Sequence, residues 1–282
     1  MNEQISRLIE LKRLERKSVK KSGTKIISVC SGKGGTGKTF FALNFGYKLS
    51  RLNKKVLLVD FDFNFSNLHL LINEISDNPI SNLFLQKSSI DELIFKYSEN
   101  LNFIFGDSGS TNFPKLNNDL LEYFFINLDY ISHNYDYIIL DSSAGADDNI
   151  IYQLSRSDIN LIVASPEPTA VMDAYVLIKI ITENLEQANN FIVINKADNK
   201  EEGERAFVNL STAVNHFLKK EIFLLGVIDY DRAVYKSIVE QELFAEVYPN
   251  SVAALEIDEI VQRFFKIEHL ANNNQSYLSH RL

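Results

Sequence analysis

Cysteine, long apolar runs and positive charge outside the first segment are all scarce in this chain, and each scarcity closes off a class of function. Only Cys30 among the 282 residues is a cysteine. One thiol cannot build a disulfide framework, so the expected setting is reducing and cytoplasmic. No apolar run approaches the roughly 18 residues that a membrane span requires. The first residues are charged and lack the apolar centre of a secretory signal. Contact with the inner face of a membrane stays open. The net charge is −8, and residues 1–25 carry eight Lys/Arg against three Asp/Glu, which leaves −13 on the remainder. An acidic body argues against broad, non-specific nucleic-acid binding. The basic leading segment is then either a contact for a polyanion or partner, or a solvated tail. Repeats and low-complexity segments are also absent.

Residues suited to a large soluble core are plentiful, at 45% hydrophobic and 23% charged. Residues 2–15 set Ile5, Leu8, Ile9 and Leu11 near helical spacing, and 16–24 reads as a basic linker, so 1–24 is expected to be an extension. From there short apolar runs recur at 25–30, 54–60, 101–105, 136–141, 159–165, 190–194 and 222–228. Helical patterns separate them at 38–51, 117–134, 147–156, 169–187, 201–219 and 252–269. Near-continuous apolar strands alternating with helices predict an α/β domain over 25–270, with a mostly parallel sheet covered on both faces. Residues 271–282 are polar and are expected to fray.

The segment CSGKGGTGKTF (30–40) contains Gly32-x-x-x-x-Gly37-Lys38-Thr39, the phosphate-loop pattern, between a predicted strand and a predicted helix. Gly34, Gly35 and Gly37 let the backbone curl, so that the N–H groups of residues such as Thr36 point inward. The helix N-terminus adds a positive partial charge. Lys38 would set an ammonium on the β- and γ-phosphates, and the Thr39 hydroxyl can ligate Mg²⁺. Three carboxylates end apolar strands: Asp60 and Asp62 in VLLVDFDF, and Asp141 in YIILDSSAG. Ligands of open α/β sheets gather at the carboxyl ends of strands, so all three should converge on the loop. Asp141 would hold the Mg²⁺ shell and Asp62 would orient or activate the attacking water. Asp60 either joins them or caps a turn.

The loop K-G-G-x-G-K-[ST], followed by L-x-x-D-x-D, resembles the MinD/ParA family of P-loop ATPases, over about residues 24–265. That resemblance implies ATP and Mg²⁺ as cofactors and an ATP-dependent homodimer. It implies that Lys33 reaches the partner's phosphates and supplies in trans the charge an arginine finger supplies elsewhere. Asn195 matches the family's strand-end asparagine at the base, and Asp229, Tyr230 and Asp231 fall where the family often reads it, without the usual Pro. Asn195-Lys196-Ala197-Asp198 also spells N-K-x-D, which leaves GTP open; Lys196 and Asp198 read equally as part of a charged loop.

SPEPTAVMDAYVLIK (165–179) and the segment 224–254 with its Y-P-x-S are similar to the family's flagellar-number regulators, the FlhG, FleN or YlxH branch. That branch implies control of flagellar number or placement through an FlhF-type GTPase, with a transcription factor or basal-body protein as a further partner. Glu3-Gln4-Ile5-Ser6-Arg7-Leu8 is the nearest match to its partner-activating motif, with Gln4 and Leu8 as contacts. A spatial organiser of division, chromosome or other cargo is the alternative within the family. The family also implies a membrane-binding C-terminal helix. Here Ile257, Ile260, Val261, Phe264, Phe265 and Ile267 form an apolar stripe, but Asp258, Glu259 and Glu268 beside Arg263 and Lys266 do not make a basic face.

Overall fold

The computed structural model describes residues 23–63, 66–74, 77–109, 113–185 and 189–279, with side chains as far as Glu268. The helix expected near the N-terminus, with Gln4 and Leu8, lies outside the described residues. Eight strands form one sheet in the order β3-β4-β2-β5-β1-β6-β7-β8. They are β1 (Lys25–Ser31), β2 (Val56–Asp60), β3 (Phe95–Lys96), β4 (Leu101–Ile104), β5 (Tyr137–Ala144), β6 (Ile159–Ala164), β7 (Asn190–Ala197) and β8 (Phe223–Asp229). Every pairing is parallel except that of β3 with β4.

The strands read as unbroken apolar runs because both faces are covered. Ile27, Val29, Val56 and Leu58 face one core cluster, with Phe41 and Phe45 of α1 (Lys38–Arg51). Leu57 and Val59 face a second cluster, built with α3 (Asn118–Ser132). Cys30, Ile162, Ile192 and Ile194 face a third, with α4 (Asp148–Ser155), α5 (Pro168–Asn184) and α6 (Lys200–Ala213). Shorter helices occur between α1 and α3, where α2 (Ser81–Phe84) lies, and after β8, where α7 (Arg232–Glu240) and α8 (Phe244–Val247) lie.

The last helix, α9 (Val252–Ser279), contains no Gly or Pro and runs past residue 269, where the apolar pattern ends. Its stripe is spent on the body. Ile257, Ile260, Val261 and Phe264 are buried, and the Phe264 ring meets Phe45 edge-on at 5.4 Å. Lys48 holds Asp258 at 2.7 Å, and the Tyr137 hydroxyl donates to Glu268 at 2.6 Å. These apolar side chains therefore stabilise the core and are not a free lipid-facing surface. Among the described residues no helix is long and apolar enough to cross a membrane.

Candidate functional site

The central strand β1 delivers the glycine loop to the carboxyl edge of the sheet, with β5 and β6 on either side. Two features make the loop possible. Gly35 and Gly37 have φ of +82° and +87°, the left-handed region where a side chain is strained. At Gly37 a Cβ would also overlap the Asn195 amide, and at Gly32 it would overlap the Asp173 carbonyl of α5. The loop is thus clamped between β7 and α5 by close backbone approach.

Asn195 is 3% exposed, and its side-chain amide donates to the Thr36 carbonyl at 2.8 Å. Lys196 has φ +63°, and its ammonium donates to the Gly35 carbonyl at 2.7 Å. Both residues brace the loop from outside, so Lys196 is no incidental member of a charged segment. Asp198 lines a cleft of about 470 Å³ together with Lys33, Thr36, Ser165, Glu167 and Lys196. Of Asp229, Tyr230 and Asp231 at the end of β8, Asp231 caps α7 through Ala233 N at 2.8 Å and also accepts from Ala253 N at 3.3 Å.

Two of the three carboxylates, Asp60 and Asp141, come together at the strand ends beside Lys38. Asp60 and Asp141 are register partners on β2 and β5, each 1% exposed. Asp141 accepts from the Lys38 ammonium at 2.8 Å, and the same ammonium lies 3.3 Å from the Thr39 hydroxyl. Asp60 serves the chain that follows it. It accepts from Ser66 Oγ at 2.5 Å, from Asn67 N and Leu68 N at 3.2 Å, and from Asp62 N at 3.1 Å. Burial, and then the charge of Asp141, push the Asp60 carboxyl up to about 7. Asp62 is half-buried on the segment leaving β2. Lys33, at the outer end of the loop, donates to Glu167 Oε2 at 3.1 Å and to Thr169 Oγ1 at 3.0 Å.

The residues fit a nucleotide phosphate and its cation. Among the described residues, the N–H groups of Gly34, Gly35 and Gly37 form no main-chain hydrogen bond within the loop. A Cβ at Gly34 or Gly35 would meet nothing within 4 Å, so the loop backbone there is open to approach. The Thr36 hydroxyl is buried without a partner. Thr39 and Asp141 supply the hard oxygen donors that Mg²⁺ prefers. Sequence reasoning missed Glu167, Thr169 and Lys196 as neighbours of the loop. The one available signal was their position, Glu167 and Thr169 just beyond the end of β6 and Lys196 in the last residues of β7.

A glycine loop between the central parallel strand and a helix, with lysine and strand-end aspartates around it, defines a P-loop nucleoside-triphosphatase. Residues 24–194 match the profile of the AAA domain family, and the chain belongs to that family, as a P-loop ATPase of the MinD/ParA type. It is similar to the antiactivator FleN of Pseudomonas aeruginosa, 26% identical over 242 residues, covering 84% of this chain and 85% of FleN. It is also similar to the flagellum site-determining protein YlxH of Helicobacter pylori, 29% identical over 264 residues, covering 92% and 89%. Among solved structures, the septum site-determining protein MinD of Pyrococcus horikoshii, complexed with Mg-ADP, has the same fold. Its TM-score is 0.72 at 20% identity, over 88% of this chain and 98% of that one.

Proposed function

We propose that the protein is an ATP-dependent dimerising switch that regulates flagellar number or placement through an FlhF-type GTPase. The observation that carries the switch is Lys33. It is a second loop lysine whose side chain is 40% exposed, and among the described residues its ammonium is held by Glu167 and Thr169, both exposed. An ammonium there can leave its own subunit for a partner's phosphates, whereas Lys38 cannot. Similarity to FleN and YlxH over most of the chain supports the flagellar purpose. A transcription factor or basal-body protein is a further partner within this reading.

The roles follow from the chemistry. The N–H groups of residues 32–37, with Lys38, bind the phosphates and hold them in line for attack. Thr39 and Asp141, with Asp62 nearby, would hold Mg²⁺, which when bound neutralises charge on the β- and γ-phosphate oxygens. A phosphate competes with Asp141 for the Lys38 ammonium, and that exchange leaves the Asp141 carboxylate to the cation. Asp62 orients the attacking water. Asp60 fixes the segment that bears Asp62, and Asn195 keeps the loop in shape beside the base. Asp198, at the end of the N-K-x-D run and lining the cleft, favours GTP use as the second reading. A clear preference for GTP over ATP in hydrolysis would establish that reading.

The test is GTP hydrolysis by the host's FlhF-type GTPase with and without this protein, and with a variant lacking residues 1–20. Stimulation by the full chain and none by the shortened one is expected. Equal rates in all three mixtures, with ATP-dependent dimerisation intact, would sink the flagellar reading and leave a switch for another cargo.

A further inference from the structure

We infer that His69, Gly106 and Ser108 are positioning residues for ATP hydrolysis, forming a seat that holds the backbone of the segment carrying Asp62. The inference rests on the proposed role of Asp62 as the residue that orients the attacking water. A carboxylate with that task must be held within tenths of an ångström, and the displacement of a reacting group by about 1 Å can cost on the order of a hundredfold in rate. Asp62 nevertheless lies beyond the end of β2, on a segment without regular structure. Its support comes from the end of the neighbouring strand β4.

Three observations define the seat. The first is Gly106. Its φ is not in the left-handed region, so torsion does not demand a glycine there. Space does: a Cβ would come within 3.0 Å of the Phe63 carbonyl and Ser66 Cβ, and within 3.2 Å of the Asp62 carbonyl oxygen. The Asp62 backbone therefore lies directly on the Gly106 backbone. The second is a pair of main-chain hydrogen bonds to residues that follow Asp62. Asp107 N donates to Phe63 O at 2.6 Å, and Ser66 N donates to Asp107 O at 3.0 Å. Asp107 is itself fixed, because its carboxylate accepts from Ser81 N at 3.1 Å and from Ser81 Oγ at 2.7 Å.

The third is His69, which ties the far side. Its Nδ1 lies 3.4 Å from Ser66 Oγ and its Nε2 lies 3.2 Å from Ser108 Oγ. Ser66 gives its one hydroxyl hydrogen to Asp60, so His69 Nδ1 must be the donor to Ser66. Nε2 then accepts from Ser108. Partial burial lowers the imidazole pKa, which suits this neutral ring, and its edge-on contact with Phe105 at 6.3 Å keeps the ring upright. The chain Asp60–Ser66–His69–Ser108 thus closes a loop around the Asp62 segment, from the end of β2 to the end of β4. None of these groups belongs to the glycine cradle, so the seat should act on the rate of hydrolysis and leave binding alone.

The experiment measures single-turnover ATP hydrolysis and ATP affinity for the full chain and for Gly106→Ala, His69→Leu, His69→Gln, Ser108→Ala and Asp62→Ala. Gly106→Ala and His69→Leu should each lower the hydrolysis rate about tenfold or more, with ATP affinity kept within about threefold. His69→Gln, whose amide can still reach Ser108, should recover part of the loss. Gly106→Ala added to Asp62→Ala should cost nothing further, because the seat acts through Asp62. Rates within about twofold of wild type for the seat variants, beside a slow Asp62→Ala, would overturn the seat alone. So would an undiminished loss in the Asp62→Ala background, or affinity and thermal stability falling in step with rate. An Asp62→Ala protein as fast as wild type would remove the proposed role of Asp62, and the seat with it.

Discussion

Lys33 and Lys38 stand five positions apart at the two ends of one loop, and their surroundings are opposite. The Lys38 side chain is 10% exposed and pairs at 2.8 Å with an Asp141 side chain that is 2% exposed. The Lys33 side chain is 40% exposed and pairs at 3.1 Å with a Glu167 side chain that is 67% exposed. Breaking a buried pair leaves a charge uncompensated in low dielectric, at a cost of about 3–5 kcal/mol. An exposed pair is worth about 0–1 kcal/mol, because water and salt replace either partner. The inner lysine is therefore wired to the strand ends and moves only when another anion takes the place of Asp141. The outer lysine is held weakly enough to change partners, and this is what a second lysine adds to a phosphate loop.

The largest way to break the comparison is Lys33→Ala. If the outer lysine supplies charge to a partner's phosphates, dimer-dependent ATP hydrolysis should fall on the order of a thousandfold. ATP affinity of the monomer should stay within about threefold, because the cradle is untouched. A hydrolysis rate equal to wild type would end the in-trans assignment. Lys38→Ala should reverse the pattern, weakening ATP binding by about 10- to 100-fold, as loss of a charge-assisted hydrogen bond does. It should also lower the thermal midpoint, since Asp141 loses its buried partner. Calorimetric titration and a melting curve read both, and an unchanged ATP affinity would refute the role given to the inner lysine.

The sequence reveals the inner end better than the outer one, for a physical reason. The helix expected at 38–51 is the one observed, and β2 ends at Asp60 where its apolar run ends, while β5 runs on past Asp141 to Ala144. These elements are set by local pattern, namely unbroken apolar runs, glycines with positive φ and a helix start. The outer end is made by contacts 134 and 136 residues apart, from Lys33 to Glu167 and Thr169, and no local pattern encodes them. The same holds for Asn195, expected at the base yet bonded to Thr36 O across 159 residues. It holds also for β3, a two-residue strand defined only by its pairing with β4. Asp60 shows the limit within the inner end. The end of its strand is legible, but its commitment to Ser66, Asn67 and Leu68 depends on how the next segment folds back.

The smallest expected effect sharpens the comparison most, because it separates weak holding from no holding. Glu167→Gln removes the charge facing Lys33 while leaving the Thr169 contact in place. The thermal midpoint should hardly move, since an exposed pair contributes less than about 1 kcal/mol. If Lys33 must leave Glu167 to reach a second subunit, however, weakening that hold should favour the ATP-bound dimer. The protein concentration at half-dimerisation should then fall by up to about fivefold at low salt. The shift should fade near 1 M salt, where the screening length is about 3 Å and the wild-type pair is already weakened. Lys38→Ala should show no such salt dependence in its ATP-binding defect, because its partner is buried. Sedimentation of wild type and Glu167→Gln at the two salt concentrations, both with ATP, makes the measurement. Identical dimerisation at low salt would mean that Glu167 does not compete for Lys33, and that the outer lysine is free before any partner arrives.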